Sequence, residues 1–359
     1  MPSVLEILAL VEEIAPPRFA YTFDKVGLQV GCPESSVSGI VTTLDCSDEC
    51  IDFTIKSGAN LVISHHPLIF EPLTRLSRQD RASRLCSRLI KEDVALIAAH
   101  TNWDCAPGGI NDTLASVLGL RNVRALGSDS GARLVKLVTF VPVSDSEQVI
   151  EALAGAGAGQ IGDYDRCAFV SRGSGTFRGS ATSHPVIGKP GHEETVDEAR
   201  VEMVVPEALL AGCLKALRAV HPYEEPAFDV YPMHRSAGHP IGRMGDLERA
   251  LCPSDFVNVV EQKLATRCRC WIPARQKMVE SAMVVGGAAS EEWTTALKAG
   301  AGAFVTGEVK HHIAVEARES GLLMIEAGHF ETEHPGMEAM STLLGNRLPS
   351  VHVSCFDPC

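Results

Sequence analysis

The chain reads as an α/β protein: two related α/β lobes forming one split domain around a two-metal cleft, with a ferredoxin-like α+β domain inserted between them. Three observations point there. Short apolar runs alternate with polar helical segments over the first ~125 residues, the rhythm of a mostly parallel sheet with helices on both faces. That rhythm gives way near Gly127–Arg133 to a Gly/Ser-rich pattern and resumes from about Gly238. Two stretches far apart in the chain also match each other, and each ends in a His-His pair.

Met1–Ala15 is expected to be an amphipathic helix, because Val4, Leu5, Leu8, Val11 and Ile14 recur at helical spacing with Glu6, Glu12 and Glu13 between them. It has neither a basic n-region nor a cleavage site, so it is not read as a signal peptide. No stretch approaches the ~20 apolar residues of a membrane span. Ile40–Leu44 reads as a strand ending at Asp45, Ser47–Lys56 as a helix capped by Ser47, and Leu61–Ser64 as the next strand. Arg81–Lys91 follows as a helix and Val94–Ala99 as a strand. Asn111–Leu118 is a helix with Asn111 as its N-cap and Gly119 as its stop.

Arg133–Pro142 (RLVKLVTFVP) reads as a strand and is followed by a Ser144-capped helix to Ala154. Gly155–Gly191 carries short β-like pieces, and the strands Glu202–Val205 and Phe228–Tyr231 flank a helix at Pro206–Val220. This β-α-β-β-α-β order is that of a ferredoxin-like module. The expected division is therefore 1–130 with 237–359 for the split domain and 131–236 for the insertion. Insertion is favoured over tandem domains because metal-type residues lie on both sides of the middle segment.

A formal net charge of −13, and the lack of any Lys/Arg run interleaved with aromatics, argue against nucleic acid as a partner. The 12 cysteines show no C-x-x-C pair or framework spacing, which fits reduced thiols of a cytoplasmic protein. No phosphate-binding glycine loop and no G-x-S-x-G elbow is present.

Ser47–His66 (SDECIDFTIKSGANLVISHH) parallels Ser290–His312 (SEEWTTALKAGAGAFVTGEVKHH), and Leu96–Asp104 parallels Met324–Glu333. The period is too long for a solenoid; it suits two lobes that each supply strand-end residues to one cleft. In open α/β sheets functional groups collect beyond the carboxyl ends of the strands, where Asp45, His65, His66, His100, Asp104 and His329 all fall. Four residues separate His100 from Asp104 and His329 from Glu333, which places each pair on one helix face. Adjacent residues of an extended chain point opposite ways, so His65 and His66 are expected to serve different ions, with Asp104 bridging. His65, His66, Asp104, His329 and Glu333 thus suit two ions about 3.5–4 Å apart. His100 reads equally as a ligand or as a support for one. His311-His312 reads as a substrate-contacting or acid/base pair, or as exposed residues at a helix start. Asp45 either orients a ligand histidine or caps the following helix. His184, His192 and His221 read as structural or surface groups.

Phe23–Gly31 (FDKVGLQVG), Thr43–Cys46 (TLDC), Ser64–Phe70 (SHHPLIF), His100–Asp112 (HTNWDCAPGGIND) and Gly328–Pro335 (GHFETEHP) resemble the GTP cyclohydrolase 1 type 2 family, whose members are also called NGG-interacting-factor-like proteins. Gly155–Phe169, Gly173–Phe177 and His221–Tyr231 resemble that family's optional insertion, related to the PII/CutA-type trimeric fold. The resemblance places His65, His66, Asp104, His329 and Glu333 on the positions that hold two divalent metals. Zinc is the first expectation, and Fe, Mn, Co and Ni are compatible with the same ligands. His100 and His312 fall on additional cleft histidines, expected to be catalytic through proton transfer. A toroidal homohexamer and a nucleotide-like substrate are implied, with hydrolytic attack at C8 of guanine. A regulatory or scaffold assembly without robust turnover is the alternative. The chain departs from the family at Lys25, where the usual residue is Asn, beside the expected pocket.

Overall fold

The computed structural model describes residues 1–129, 133–161, 164–236 and 239–358. It divides into two compact units, Met1–Gly131 with Gly238–Cys359, and Ala132–Ala237. The junctions expected at 130/131 and 236/237 fall at or beside residues outside the described ones.

In the discontinuous unit a five-stranded sheet has the order Gly27–Val30, Ala95–Ala98, Leu61–Ser64, Gly39–Thr43, His352–Cys355. All neighbours are parallel except the first pair. Its inner strands are buried on both faces, which is why they read as unbroken apolar runs rather than as alternation. A second sheet has the order Arg269–Trp271, Leu323–Glu326, Ala303–Thr306, Val279–Val285, Pro240–Leu251, Arg121–Asp129. Three parallel strands form its centre and antiparallel strands its edges. The other unit is a four-stranded antiparallel sheet, ordered Ala168–Arg178, Glu193–Pro206, Arg133–Pro142, Phe228–Ser236. The helices Ser146–Gly155 and Leu210–Val220 pack on it through Val149, Leu153, Cys213 and Leu217.

Local chemistry sets several element ends. Ser47 Oγ accepts the Cys50 N–H at 3.1 Å and starts the helix Asp48–Lys56. Asp80 caps Arg81–Lys91 through the Ser83 N–H at 2.8 Å. Four expectations are corrected. Val4–Ile14 buries Val4, Ile7 and Val11, whereas Leu5, about 100° around the helix from Val4, is 55% exposed. Asn111 is not an N-cap: the helix Ile110–Val117 starts after Gly109, and Asn111 is buried within it. Ser144 does not cap either; its hydroxyl turns to Asp145 Oδ2 at 2.7 Å within the 3-10 turn that precedes Ser146. The short β pieces expected in Gly155–Gly191 include one long strand, Ala168–Arg178, paired throughout with Glu193–Pro206. Its side chains are mostly exposed, so no apolar alternation marked it.

Arg243, only 2% exposed, fastens the chain after Asp104 to the second sheet. Its Nε donates to Asp112 Oδ1 at 2.6 Å, while the other nitrogens donate to the carbonyls of Cys105 at 2.9 Å, Gly242 at 3.1 Å and Pro240 at 2.8 Å. Removing the buried guanidinium strands the buried carbonyls of Cys105 and Gly242 and leaves half-buried Asp112 without its cation. Arg243→Met is therefore expected to cost about 3–5 kcal/mol in urea unfolding. Arg243→Lys should recover little, because an ammonium cannot reproduce the guanidinium fork. A loss within about 0.5 kcal/mol, the ordinary surface range, would contradict this role.

Candidate metal centre

Backbone pairing continues past the strand Leu61–Ser64: the His65 N–H donates to Thr43 O and the His66 N–H to Leu44 O, both at 2.9 Å. His100 follows Ala95–Ala98 and leads into the short helix Thr101–Cys105, which carries Asp104. His329 opens the helix His329–Arg347, with Glu333 one turn later. Gly287, at φ +63°, gives the carboxylate its room, since a methyl group there would lie 2.1 Å from Glu333 Oε1.

All four histidines are anchored in one manner. The Nδ1 of His65 lies 2.9 Å from Ala99 O, that of His66 3.2 Å from Asp45 Oδ1, that of His100 2.8 Å from Asp24 Oδ1, and that of His329 2.7 Å from Glu308 Oε1. A carbonyl oxygen can only accept, so Nδ1 of His65 carries a proton, and Nε2 is the nitrogen left for a metal. The anchored rings send Nε2 of His65, His66 and His329 toward two carboxylates. His65 Nε2 lies 3.5 Å from Asp104 Oδ1 and 3.8 Å from Glu333 Oε1. His66 Nε2 and His329 Nε2 lie 3.2 and 3.1 Å from Glu333 Oε2, and 3.3 Å from each other.

Two ligand groups result, His65/Asp104/Glu333 and His66/His329/Glu333; His100 gathers with His65 and His66 in a third. The residues fit a metal. His65 Nε2 and Asp104 Oδ1 are buried without a hydrogen-bond partner, which is costly unless a cation completes them. Bonds of about 2.1 Å in tetrahedral array set ligand atoms about 3.4 Å apart, close to the separations around Glu333.

The expected site residues fare unequally. His65, His66, Asp104, His329 and Glu333 converge. The carboxylate common to both groups is Glu333, whereas the bridging expectation had fallen on Asp104. Asp45 touches His66, and Ser47 is the residue that caps the following helix. His312 is exposed on the first turn of His311–Glu319, outside the three groups. The match between His65-His66 and His311-His312 slipped: Gly307 donates to Gly287 O and Ala327 to Thr306 O, just as His65 donates to Thr43 O and Ala99 to Ser64 O. The positions equivalent to His65-His66 are thus Gly307-Glu308, and the identical dipeptide had outweighed the register. His221 is structural, with Nε2 3.0 Å from Phe140 O.

Sequence reasoning passed over Asp24, Glu308 and Asn111. Asn111 Nδ2 donates to Asp104 O at 3.2 Å and to Ile241 O at 2.9 Å, and Oδ1 accepts the Gly286 N–H at 2.7 Å. It joins the Asp104 backbone to the loop that borders Glu333. Glu308 stands in GEVKHH, where the histidine pair is the stronger sequence signal. Asp24 lies in the FDKVGLQVG motif, and that motif was the available signal.

Electrostatics without metal follow from this crowding. Burial works to lower the His66 value, but Asp45 and Glu333 outweigh it and raise the imidazole to about 10. Glu333 raises His329 to about 9 against burial. Burial opposes ionisation of Glu333, yet the imidazoles, His65 foremost, hold it well below the carboxylate range. Asp104 is raised, burial being the main cause.

Fold and site together define a mixed α/β protein whose buried imidazole and carboxylate groups can hold metal. The model of the family Duf34/NIF3 (NGG1p interacting factor 3) matches residues 2–357. The chain is 37% identical over 326 residues to the "GTP cyclohydrolase 1 type 2 homolog" of Bacillus subtilis, covering 90% of this chain and 87% of the relative. It is 35% identical over 324 residues to the protein of the same name from Halalkalibacterium halodurans, with the same coverage. The crystal structure of a Bacillus cereus protein "related to NIF3" aligns at 35% identity and a TM-score of 0.67, over 100% of this chain and 98% of that one. The chain belongs to the Duf34/NIF3 family.

With His66 and His329 raised to about 10 and 9, both are protonated near neutrality in the metal-free protein. A metal takes the unprotonated nitrogen, so loading expels protons and weakens as pH falls. Titration calorimetry near neutrality, in buffers of different ionisation enthalpy, should report net proton release; heats independent of buffer would contradict it. The linkage also runs through folding. Both values are raised above the unfolded one near 6.5. Their stabilisation of the metal-free fold is complete below that pH and is lost as pH rises through about 9 and 10.

Proposed function

We propose that the protein is a hydrolase that uses two divalent metal ions to act on a nucleotide or related small phosphorylated compound, GTP cyclohydrolase chemistry being the most specific form. The observation that carries this reading is the shared setting of the imidazoles, each Nδ1 held by an oxygen, around two buried carboxylates. Histidines anchored in this way are the usual ligands of protein metals. His65, Asp104 and Glu333 would take one ion, and His66, His329 and Glu333 the other. Zinc is the first proposal, and Fe, Mn, Co and Ni are compatible with the same donors. Such a pair of ions supplies Lewis acidity and a water acidic enough to react at neutral pH.

The chain's own acid/base chemistry falls to His100. Burial opposes ionisation of Asp24, but the His100 bond and charge, with Thr101, bring the carboxyl down to about 2. Asp24 therefore stays ionised and holds His100 by Nδ1, which leaves Nε2 as the nitrogen that would carry a proton. His312 is the second proposed proton carrier, four residues beyond Glu308, whose carboxylate holds His329. The name of the relatives, GTP cyclohydrolase 1 type 2 homolog, supports a guanine nucleotide as substrate. The proposed assembly is a homohexameric ring of split domains with their centres facing an inner cavity, each chain contributing a PII/CutA-like inserted unit. Free thiols support a cytoplasmic location.

A second reading, a metal-dependent regulatory or scaffold assembly, is favoured by one observation. The inserted unit has its own cavity of about 870 Å³, lined by Phe140, Arg200 and Tyr223 among others, which suits an effector. Metal-loaded wild type and Glu333→Ala, assayed on a panel of nucleotides and phosphoesters, separate the two. The hydrolase reading expects turnover of at least one nucleotide and a loss of more than about 100-fold in the variant. Wild type and variant equally inert across the panel would remove its support.

A further inference from the structure

An aromatic surface adjoins the candidate centre, and the chemistry proposed above leaves it unused. Phe23 is 57% exposed and Phe70 40%. Phe23 stacks on Tyr21, with centroids 5.5 Å apart and planes at 14°, and its ring centre lies 6.4 Å from that of Phe70. Gln29 binds the two segments into one piece. Its amide donates to Lys25 O at 3.0 Å and Ile69 O at 3.3 Å, and accepts the Ile69 N–H at 2.9 Å.

That piece is fastened to the centre. Asp24, between Phe23 and Lys25, holds His100 at 2.8 Å and accepts the Thr101 N–H at 2.9 Å. The Tyr21 N–H donates to Thr101 Oγ1 at 3.0 Å. Phe70 comes four residues after His66. Tyr21, Asp24, Lys25, Gln29 and Ile69 also line a cavity of about 550 Å³, within the range of small-ligand pockets. Lys25 is exposed and makes no ion pair among the described residues, in a chain of net charge −13.

We propose that Phe23, Phe70 and Lys25 form the recognition subsite of this centre, the rings stacking on a planar heteroaromatic ring of the substrate and the ammonium meeting its phosphate. The proposal rests on the hydrolase reading for the identity of the site, but it concerns binding rather than turnover. Aromatic faces accept any flat base, so the subsite selects for a planar ring and negative charge and leaves the hydrogen-bonding edge unread. A second copy of the chain is the rival occupant. Continuity with His100, the unpaired cation and the adjoining cavity favour the small ligand.

Calorimetric titration of metal-loaded protein with GTP, guanosine and ribose 5-phosphate tests this on wild type, Phe23→Leu, Phe70→Leu and Lys25→Ala. Leucine keeps apolar volume, and hence the fold, but cannot stack. Each leucine variant should weaken GTP and guanosine by about five- to a hundredfold and leave ribose 5-phosphate and metal content unchanged. Lys25→Ala should weaken GTP and spare guanosine. Wild-type affinity for GTP in both leucine variants overturns the proposal, as does wild type that binds none of the three. Leucine variants that change oligomeric state with GTP binding intact overturn it in favour of the second copy. Wild type that binds GTP through Phe23 but hydrolyses nothing supports the subsite and removes the hydrolase reading. Equal turnover of ringless phosphoesters and nucleotides overturns the subsite and keeps that reading.

Discussion

Buried acceptor atoms converge on one point, and too few hydrogens lie among them to satisfy their lone pairs. His65 Nε2 and Asp104 Oδ1 each lack a hydrogen-bond partner, and an unsatisfied buried polar group costs about 1–3 kcal/mol, more when charged. A fold keeps such a cluster only if a cation completes it. In the metal-free state protons on His66 and His329 serve as that cation, which is why both imidazoles are raised so far. Metal and proton compete for the same lone pairs.

The remaining architecture holds those atoms in place against their mutual repulsion. One sheet ends in His65 and His66, and the helix bearing Glu333 follows a strand of the other. Arg243 and Asn111 lock the Asp104 segment to the second sheet through hydrogen bonds to main-chain carbonyls. Asp24, Asp45 and Glu308 each hold one imidazole by Nδ1, so ring orientation follows from hydrogen bonding as well as from packing. A carboxylate behind an imidazole also makes it a better electron donor, which couples the positioning residues to the chemistry of the centre.

Much of this was legible in the sequence wherever the signal was local. Leu61–Ser64 and Arg81–Lys91 could be read to the residue, because an unbroken apolar run and a polar cap define them within a few positions. The converging residues were legible for a similar reason: an adjacent pair and two i, i+4 pairs carry their geometry with them. The supporting bonds were not legible. Asp24 meets His100 across 76 positions and Arg243 meets Asp112 across 131, and no periodicity announces such a contact. The slip that matched His311-His312 to His65-His66 has the same origin, since residue identity is visible in sequence and strand register is not. Ala168–Arg178 stayed hidden because a strand with mostly exposed side chains has no apolar pattern to show.

The most direct test is to see the metal. Crystals of protein purified under metal-replete conditions, measured at the absorption edge of the metal found by elemental analysis, would locate every bound ion. The account predicts two anomalous peaks per chain, one among His65, Asp104 and Glu333 and the other among His66, His329 and Glu333, with Glu333 touching both. Fewer than about one ion per chain, or peaks away from these residues, would contradict it.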